Sequence, residues 1–354
     1  MTTAALFFEP TAYTTRGEKL MGRQSTGESF LRAFFQHTPP GDMVVQVSTP
    51  AHVGLFAEAA KAHGRQETIH GAFRGNLGAL THAGTLYVPG PNIASMAWGR
   101  ALHGSSAWSL CGITYTLSSA EAMDAVTDLL TAPVEPWDAL ICISSVARDV
   151  VQRLWQVQAQ FLQQRLGAQR FVMPQLPVIP LGVSCDDFAP DRAAGAALRA
   201  RLGIGKDDIA CAIIARLTPH EKFDPLPLYL ALARAQAQLG RRFHLLLCGQ
   251  FRDEYARRVF TTGAQAMMPD AGFHLLDGAS AADRKATLSG ADIFLFPIDN
   301  VQETFGLAPI EAMAAGLPLI VSDWDGMKDT VTPEVGIRIP VSYTHLTLPT
   351  SDLV

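Results

Sequence analysis

Short apolar runs alternate along this chain with longer segments whose apolar residues recur at helical spacing, and Gly, Pro, Asp and Ser punctuate the junctions. The N-terminal Met-Thr-Thr-Ala-Ala-Leu-Phe-Phe reads as a first strand. Further strands are expected at 43–48, 85–88 and 139–144, with helices at 120–130 and 146–166. An extended stretch at 175–183, stiffened by its prolines, reads as a hinge-like crossing. Beyond it the alternation resumes, with strands at 209–215, 243–248, 273–276 and 293–297 and helices at 193–202 and 255–267. Asp224-Pro225 is the expected start of another helix, Gly240 its stop, and Ser280-x-x-Asp283 has the form of a capping signal. Strands and helices alternating from end to end predict an α/β protein with mainly parallel sheets, in two Rossmann-like domains at 1–183 and 184–340.

One junction carries more than structure. Between the strand at 291–297 and the apolar run at 317–322 lies Gln302-Glu303-Thr304-Phe305-Gly306-Leu307-Ala308-Pro309-Ile310-Glu311-Ala312-Met313-Ala314-Ala315-Gly316. Pro309 suits the first turn of a helix, where its missing N–H costs nothing, and Gly316 suits the stop. The spacing predicts a helix over 309–315, with Glu311 in its first turn and residues 304–307 as the loop feeding it. Glu303 then lies near the carboxyl end of a parallel strand, beside free loop amides and the positive end of a helix. Hydroxyls, ribose and phosphate are what such a place binds.

Composition narrows the class. A length of 354 residues suits about two domains, and 48% apolar with 17% charged residues is ordinary for a globular protein. No run approaches about 18 uninterrupted apolar residues, the length a membrane span needs, and the N-terminus lacks the basic region of a signal peptide. A net charge of -5 argues against general nucleic-acid binding, which needs basic stripes, but leaves room for an anionic ligand at a local positive site. The five cysteines, Cys111, Cys142, Cys185, Cys211 and Cys248, never form C-x-x-C. They are expected to be free thiols in a reducing cytoplasm rather than disulfides or zinc ligands. No G-x-G-x-x-G follows the first strand, which disfavours a dinucleotide-dependent dehydrogenase.

The Glu303 to Gly316 segment resembles the E-x7-E signature of retaining glycosyltransferases of the GT-B fold, in the GT4-like group 1 family. The resemblance implies two Rossmann-like domains with a cleft between them. It implies that Glu303 reaches the hexose of a nucleotide sugar and Glu311 holds the ribose hydroxyls. Thr304 and the main-chain amides at Phe305, Gly306 and Leu307 would lie against the donor. Arg216-Leu-Thr-Pro-His-Glu-Lys222 resembles the family's Arg-Leu-x-Pro-x-Lys element with one residue more, so Arg216 and Lys222 are expected to clamp the pyrophosphate. Leu20-Met-Gly22-Arg23-Gln-Ser-Thr-Gly27 occupies the place of the family's glycine loop, where Gly22 lets the backbone approach a phosphate or the acceptor. Gly112-Ile-Thr-Tyr115-Thr116 resembles the family's Gly-x-Thr-His-Thr stretch with Tyr115 in the histidine's place, which removes imidazole acid–base chemistry.

By this resemblance Glu303, Arg216 and Lys222 serve the transfer of a hexose from a nucleoside diphosphate sugar, a UDP or GDP sugar, to an acceptor hydroxyl in glycan assembly. The two glutamates chiefly bind, attack occurs on the front face, and closure about 175–183 excludes water. No cofactor or metal is expected. Asp323-Trp-Asp325 has the D-x-D form of a metal chelator, but with Arg216 and Lys222 present it reads as a turn with Gly326. The acceptor would be a glycan, a lipid-linked glycan or a small molecule, met in the cytoplasm or at the inner face of the cell membrane. A nucleotide-sugar epimerase of the same fold and a non-catalytic nucleotide-sugar binding protein are the alternatives. Residues 341–354 resemble a translated sequencing adapter and are expected to be a non-native tail that packs into no core.

Overall fold

The computed structural model describes residues 4–13, 22–299 and 303–341, and the side chains of all of these except 22–25. The expected tail, from residue 342 onward, lies outside them. The chain divides into two compact units between Gly182 and Val183.

The first unit is built on six parallel strands: β1 (Ala5–Phe8), β2 (Met43–Val47), β3 (Ile69–Ala72), β4 (Thr85–Tyr87), β5 (Ser109–Ile113) and β6 (Ala139–Ile141), in the order β3-β2-β1-β4-β5-β6. The second has β7 (Ile209–Leu217), β8 (Phe243–Phe251), β9 (Gly272–Asp277), β10 (Ile293–Phe296), β11 (Leu319–Ser322) and β12 (Gly336–Ile339), in the order β12-β11-β10-β7-β8-β9. Parallel pairing needs a crossover between neighbours, and helices supply it. That is why β2 is buried at every position and its sequence runs apolar rather than alternating. In both sheets the winding reverses beside the first strand, between β1 and β4 and between β7 and β10. Open α/β sheets take their ligands at the carboxyl ends of the strands at such a point.

Local signals set most helix ends. Asp224 accepts from the Leu226 amide at the start of Pro225–Leu239, which Gly240 closes at a φ of 62°; Ser280 accepts from the Asp283 amide before Ala281–Gly290. Several expectations need correcting. β7 runs on through Leu217, so Arg216 lies within the strand, paired with Gln250, rather than just after it. The Glu311 helix is Leu307–Ala314, begun by Gly306 at a φ of 81°, which makes Pro309 its third residue and puts Glu311 past the first turn. The pattern did not indicate β3, β5 or the helices Pro50–Ala62 and Ile93–Ala101. The crossing at 175–183 is extended, but it is not free along its length. Gln175 and Val178 bridge in parallel to Ala139 and Cys142, so its first half is bonded along the edge of β6.

One buried charge pair ties the first unit together. Arg100 and Asp138 are both fully buried and paired twice, at 2.6 and 2.8 Å. The guanidinium also donates to the carbonyls of Trp108 and Pro133, while the carboxylate accepts from the amides of Leu110 and Glu135. Four chain segments meet at this pair. In the second unit the core is aromatic, with Phe223 edge-on to Phe260 at 5.5 Å and Phe294 stacked on Phe296. All five cysteines are free thiols; burial pushes Cys111, Cys142 and Cys248 up to about 11 and Cys211 up to about 12, which keeps them unreactive.

Candidate active site

The reversal point of the second sheet gathers the charged residues that the sequence singled out. The turn after β7 is closed by the Lys222 amide on the Thr218 carbonyl. It is stitched to the chain after β10 by Asp299, whose amide donates to the Lys222 carbonyl and whose carboxylate accepts from the Asp224 amide. This places Lys222 in an ion pair with Glu303, each side chain only 13% exposed, with the ammonium 5.5 Å from the centre of the Phe296 ring. The apolar strand end beneath and the loss of water around the pair strengthen their attraction.

Arg216 stands apart from that pair. Its side chain is 59% exposed and lies 3.7 Å from Glu221, which also pairs with Arg252 at the end of β8. Two arginines from adjacent strands thus share one exposed carboxylate. Sequence reading missed Arg252, because only the pairing of β7 with β8 brings it to Arg216.

The loop after Glu303 is shaped by two glycines. Gly306 takes the left-handed conformation that starts the helix without a side-chain cap, so it supplies no side chain to satisfy the first-turn amides. Gly326 donates its amide to the Glu303 carbonyl, and a Cβ on it would lie 2.4 Å from the Phe305 Cα. The turn after β11 is therefore pressed against the Glu303 loop. It brings Asp325 with it, 8% exposed, and the Asp325 carboxyl is pushed up to about 6 by burial and then by the negative charge of Glu303. Asp325 does sit in a turn with Gly326, as expected, but the turn delivers its carboxyl to the neighbourhood of Glu303. Among the described residues no group of three His, Cys, Asp or Glu comes together in the manner of a metal site.

Burial also pushes the Glu311 carboxyl up to about 7, with Arg284 opposing the shift. A carboxyl held protonated in the fold reverses the usual acid behaviour. Below its ordinary value of 4.5 the folded and unfolded chains both carry the proton. As pH rises through 7 the fold must bury a charge, so the Glu311 contribution to stability is present in acid and lost toward alkaline pH. Melting temperature should accordingly fall less between pH 5 and pH 8 in Glu311→Gln than in the wild type; equal slopes would remove the buried carboxyl from the account.

The other two residues belong to the first unit and its own reversal point. Gly22 is the first residue of the helix Gly22–His37, and the loop before it lies outside the described residues. Tyr115 follows β5, largely withdrawn from water, and hydrogen-bonds the buried Tyr87 at the end of β4. Tyr87 in turn stacks on Phe30 at 4.5 Å. Burial raises both phenols above their ordinary range, so Tyr115 offers a hydrogen bond and no charge near neutrality.

Comparison with known proteins bears on this arrangement. The profile of the family described as glycosyl transferases group 1 matches residues 196–344. The chain is 29% identical over 169 residues to D-inositol 3-phosphate glycosyltransferase of Saccharomonospora viridis, covering 46% of this chain and 38% of that protein. It is 26% identical over 320 residues to the GDP-mannose-dependent alpha-(1-6)-phosphatidylinositol monomannoside mannosyltransferase of Mycolicibacterium smegmatis, covering 83% of this chain and 80% of the relative. The chain thus spans well under half the length of the first of these and most of the second. The crystal structure of Anabaena HepE in complex with UDP superposes with a TM-score of 0.61 at 13% identity, over 96% of this chain and 86% of that one. No helix among the described residues is long and apolar enough to cross a membrane. Over residues 196–344 the chain thus matches the profile of the group 1 glycosyltransferases, it is similar at low identity to proteins named as glycosyltransferases, and it shares the GT-B fold of the solved structures.

Proposed function

We propose that the chain transfers a hexose from a nucleoside diphosphate sugar to an acceptor hydroxyl with retention of configuration, in glycan or lipid-linked glycan assembly. The observation that carries this reading is the pairing of Lys222 with Glu303 at the reversal point of the second sheet, next to the start of the Leu307–Ala314 helix, which has no side-chain cap at Gly306. A diphosphate entering there meets Lys222, the Arg216 and Arg252 pair and the amides at Phe305, Gly306 and Leu307, while the sugar beyond it meets Glu303. Those cations can balance the leaving diphosphate, so no metal or cofactor is invoked. Catalysis then consists of positioning and of stabilising charge as the diphosphate departs, with attack on the face it leaves. Glu311 holds the ribose hydroxyls, and Gly22 and Tyr115 belong to the acceptor-side unit. The relatives' names favour a GDP-mannose donor and an inositol-containing acceptor, the solved neighbours with UDP or UDP-glucose keep a UDP-hexose in view, and we place the reaction in the cytoplasm or at the inner face of the cell membrane.

The reading is tested with GDP-mannose and UDP-glucose by thermal shift, since a specific ligand raises apparent stability by mass action. The anomeric configuration of the product, followed by NMR, tests retention. Glu303→Ala should weaken binding of the nucleotide sugar by about tenfold, the scale of one lost hydrogen bond to a charged group, while leaving GDP or UDP binding unchanged. Equal loss for nucleotide and nucleotide sugar would take Glu303 away from the sugar. Ribose recognition by an ionised Glu311 gives a second signature. With its carboxyl at about 7, only about a tenth is ionised at pH 6, so nucleotide-sugar affinity should rise about tenfold from pH 6 to pH 8. Calorimetry on Glu311→Gln should show a flat profile; a wild-type profile that is itself flat would refute the assignment.

A further inference from the structure

Asp325 bears two structural costs at once. It is the one residue other than glycine with a positive φ among the described residues, at 47°, a conformation that disfavours a side chain. Its Oδ2 is buried with no hydrogen-bond partner among the described residues, although the residue is 8% exposed. A buried acceptor without a donor costs on the order of 1–3 kcal/mol. Glycine would avoid both costs, because it accepts the backbone conformation and brings no carboxyl. The turn itself is fixed by other contacts, the Gly326 amide on the Glu303 carbonyl and the close approach of Gly326 to Phe305, so it does not need an aspartate.

What the side chain adds is a second carboxyl close enough to Glu303 to feel its charge. Lys222 is already paired with Glu303. The site therefore holds two acidic groups, one paired with Lys222 and the other drawn on by Lys328, whose attraction does not offset burial and the charge of Glu303, and Asp325 keeps an acceptor oxygen without a partner among the described residues. A ligand that satisfies it must bring a donor, and a hydroxyl is one. A ligand carrying its own carboxylate would instead meet like charge in a place poorly screened by water.

We propose that Asp325 is a specificity-determining residue of the sugar subsite, accepting a hydrogen bond from a hydroxyl of the transferred sugar and favouring neutral sugars over uronates. The assignment rests on the reading of Glu303 as the sugar-facing residue. It differs from that reading in assigning a preference among sugars, and in placing a discriminating residue on the turn after β11.

The test uses the full chain, wild type, Asp325→Asn and Asp325→Gly, with UDP, GDP, UDP-glucose, UDP-glucuronate, GDP-mannose and GDP-mannuronate as probes. Wild type should bind the neutral member of whichever sugar pair it accepts about tenfold or more tightly than the uronate, and Asp325→Asn should narrow that ratio by about tenfold. Asp325→Gly should raise the melting temperature while weakening binding of the neutral nucleotide sugar, with UDP or GDP binding unchanged. A residue that merely supports the turn would show the reverse, a lower melting temperature and an unaltered ratio. If wild type binds nucleotide sugars but both variants keep its ratio, or if wild type prefers the uronate, the role given to Asp325 is overturned and the donor-site reading stands. If wild type binds none of the six probes, the donor site itself is overturned and Asp325 goes with it.

Discussion

Lys222→Ala is expected to lower the rate of sugar transfer by about 10²–10³-fold, the loss seen when one preorganised donor to a developing charge is removed from an enzyme. The size of the effect follows from where the ammonium sits. Arg216 and Arg252 are exposed and already share Glu221, so water and salt screen them and either can stand in for the other. Lys222 is largely withdrawn from water, over an aromatic ring, and paired with the carboxylate assigned to the sugar. Removing it takes away the least screened positive charge near the leaving diphosphate. It also leaves Glu303 without its cation and facing the Asp325 carboxyl. The melting temperature should therefore drop in Lys222→Ala and recover in Lys222→Ala/Glu303→Gln, whereas the rate should not recover. Donor hydrolysis and transfer within a few-fold of wild type in Lys222→Ala would remove this residue from the chemistry.

The largest effect on stability should come from a residue in the other unit. Asp138→Ala is expected to cost about 3–5 kcal/mol, the range for breaking one side of a buried ion pair. The guanidinium of Arg100 would lose both of its carboxylate bonds in a place with no access to water, and the amides of Leu110 and Glu135 would lose their acceptor. Urea unfolding monitored by the tryptophans of the first unit, Trp108 and Trp155 among them, reads this directly. The double variant Arg100→Met/Asp138→Leu should recover part of the loss, because it removes the stranded charge along with the pair. A single variant that unfolds at the wild-type urea concentration would mean that water or another donor reaches the site.

Much of this was legible in the sequence where the deciding physics is local. Asp224, Gly240 and Ser280 act on amides within a few residues of themselves, so helix ends could be read from them directly. The α/β class followed from alternation, and the glutamate pair from its placement between a strand and a helix. The errors share a cause. β7 extends past its apolar run because β8 is there to pair with Arg216 and Leu217, a fact of the sheet and not of the segment. The start of the Glu311 helix depends on a positive φ at Gly306, which residue type permits but does not dictate. β3 is a half-exposed strand, Ile-His-Gly-Ala, whose glycine and histidine carry no strand signal of their own. Asp325 read as a turn residue and is one. Its closeness to Glu303 arises only when two loops from neighbouring strands, β10 and β11, are laid against each other, and no local signal marks it, since Asp-Gly is an ordinary turn pair that also occurs at Asp277-Gly278.

The bonding of Gln175–Ile179 along β6 has a consequence for how the chain may be divided. A parallel strand at the margin of a sheet offers an unpaired row of amides and carbonyls to any other chain, and β6 would be such a margin. The four backbone bonds between Asp138–Cys142 and Gln175–Ile179 occupy that row. The connecting peptide thus covers that edge against intermolecular strand addition, and a boundary drawn before Gln175 would uncover it whereas one drawn after Ile179 would not.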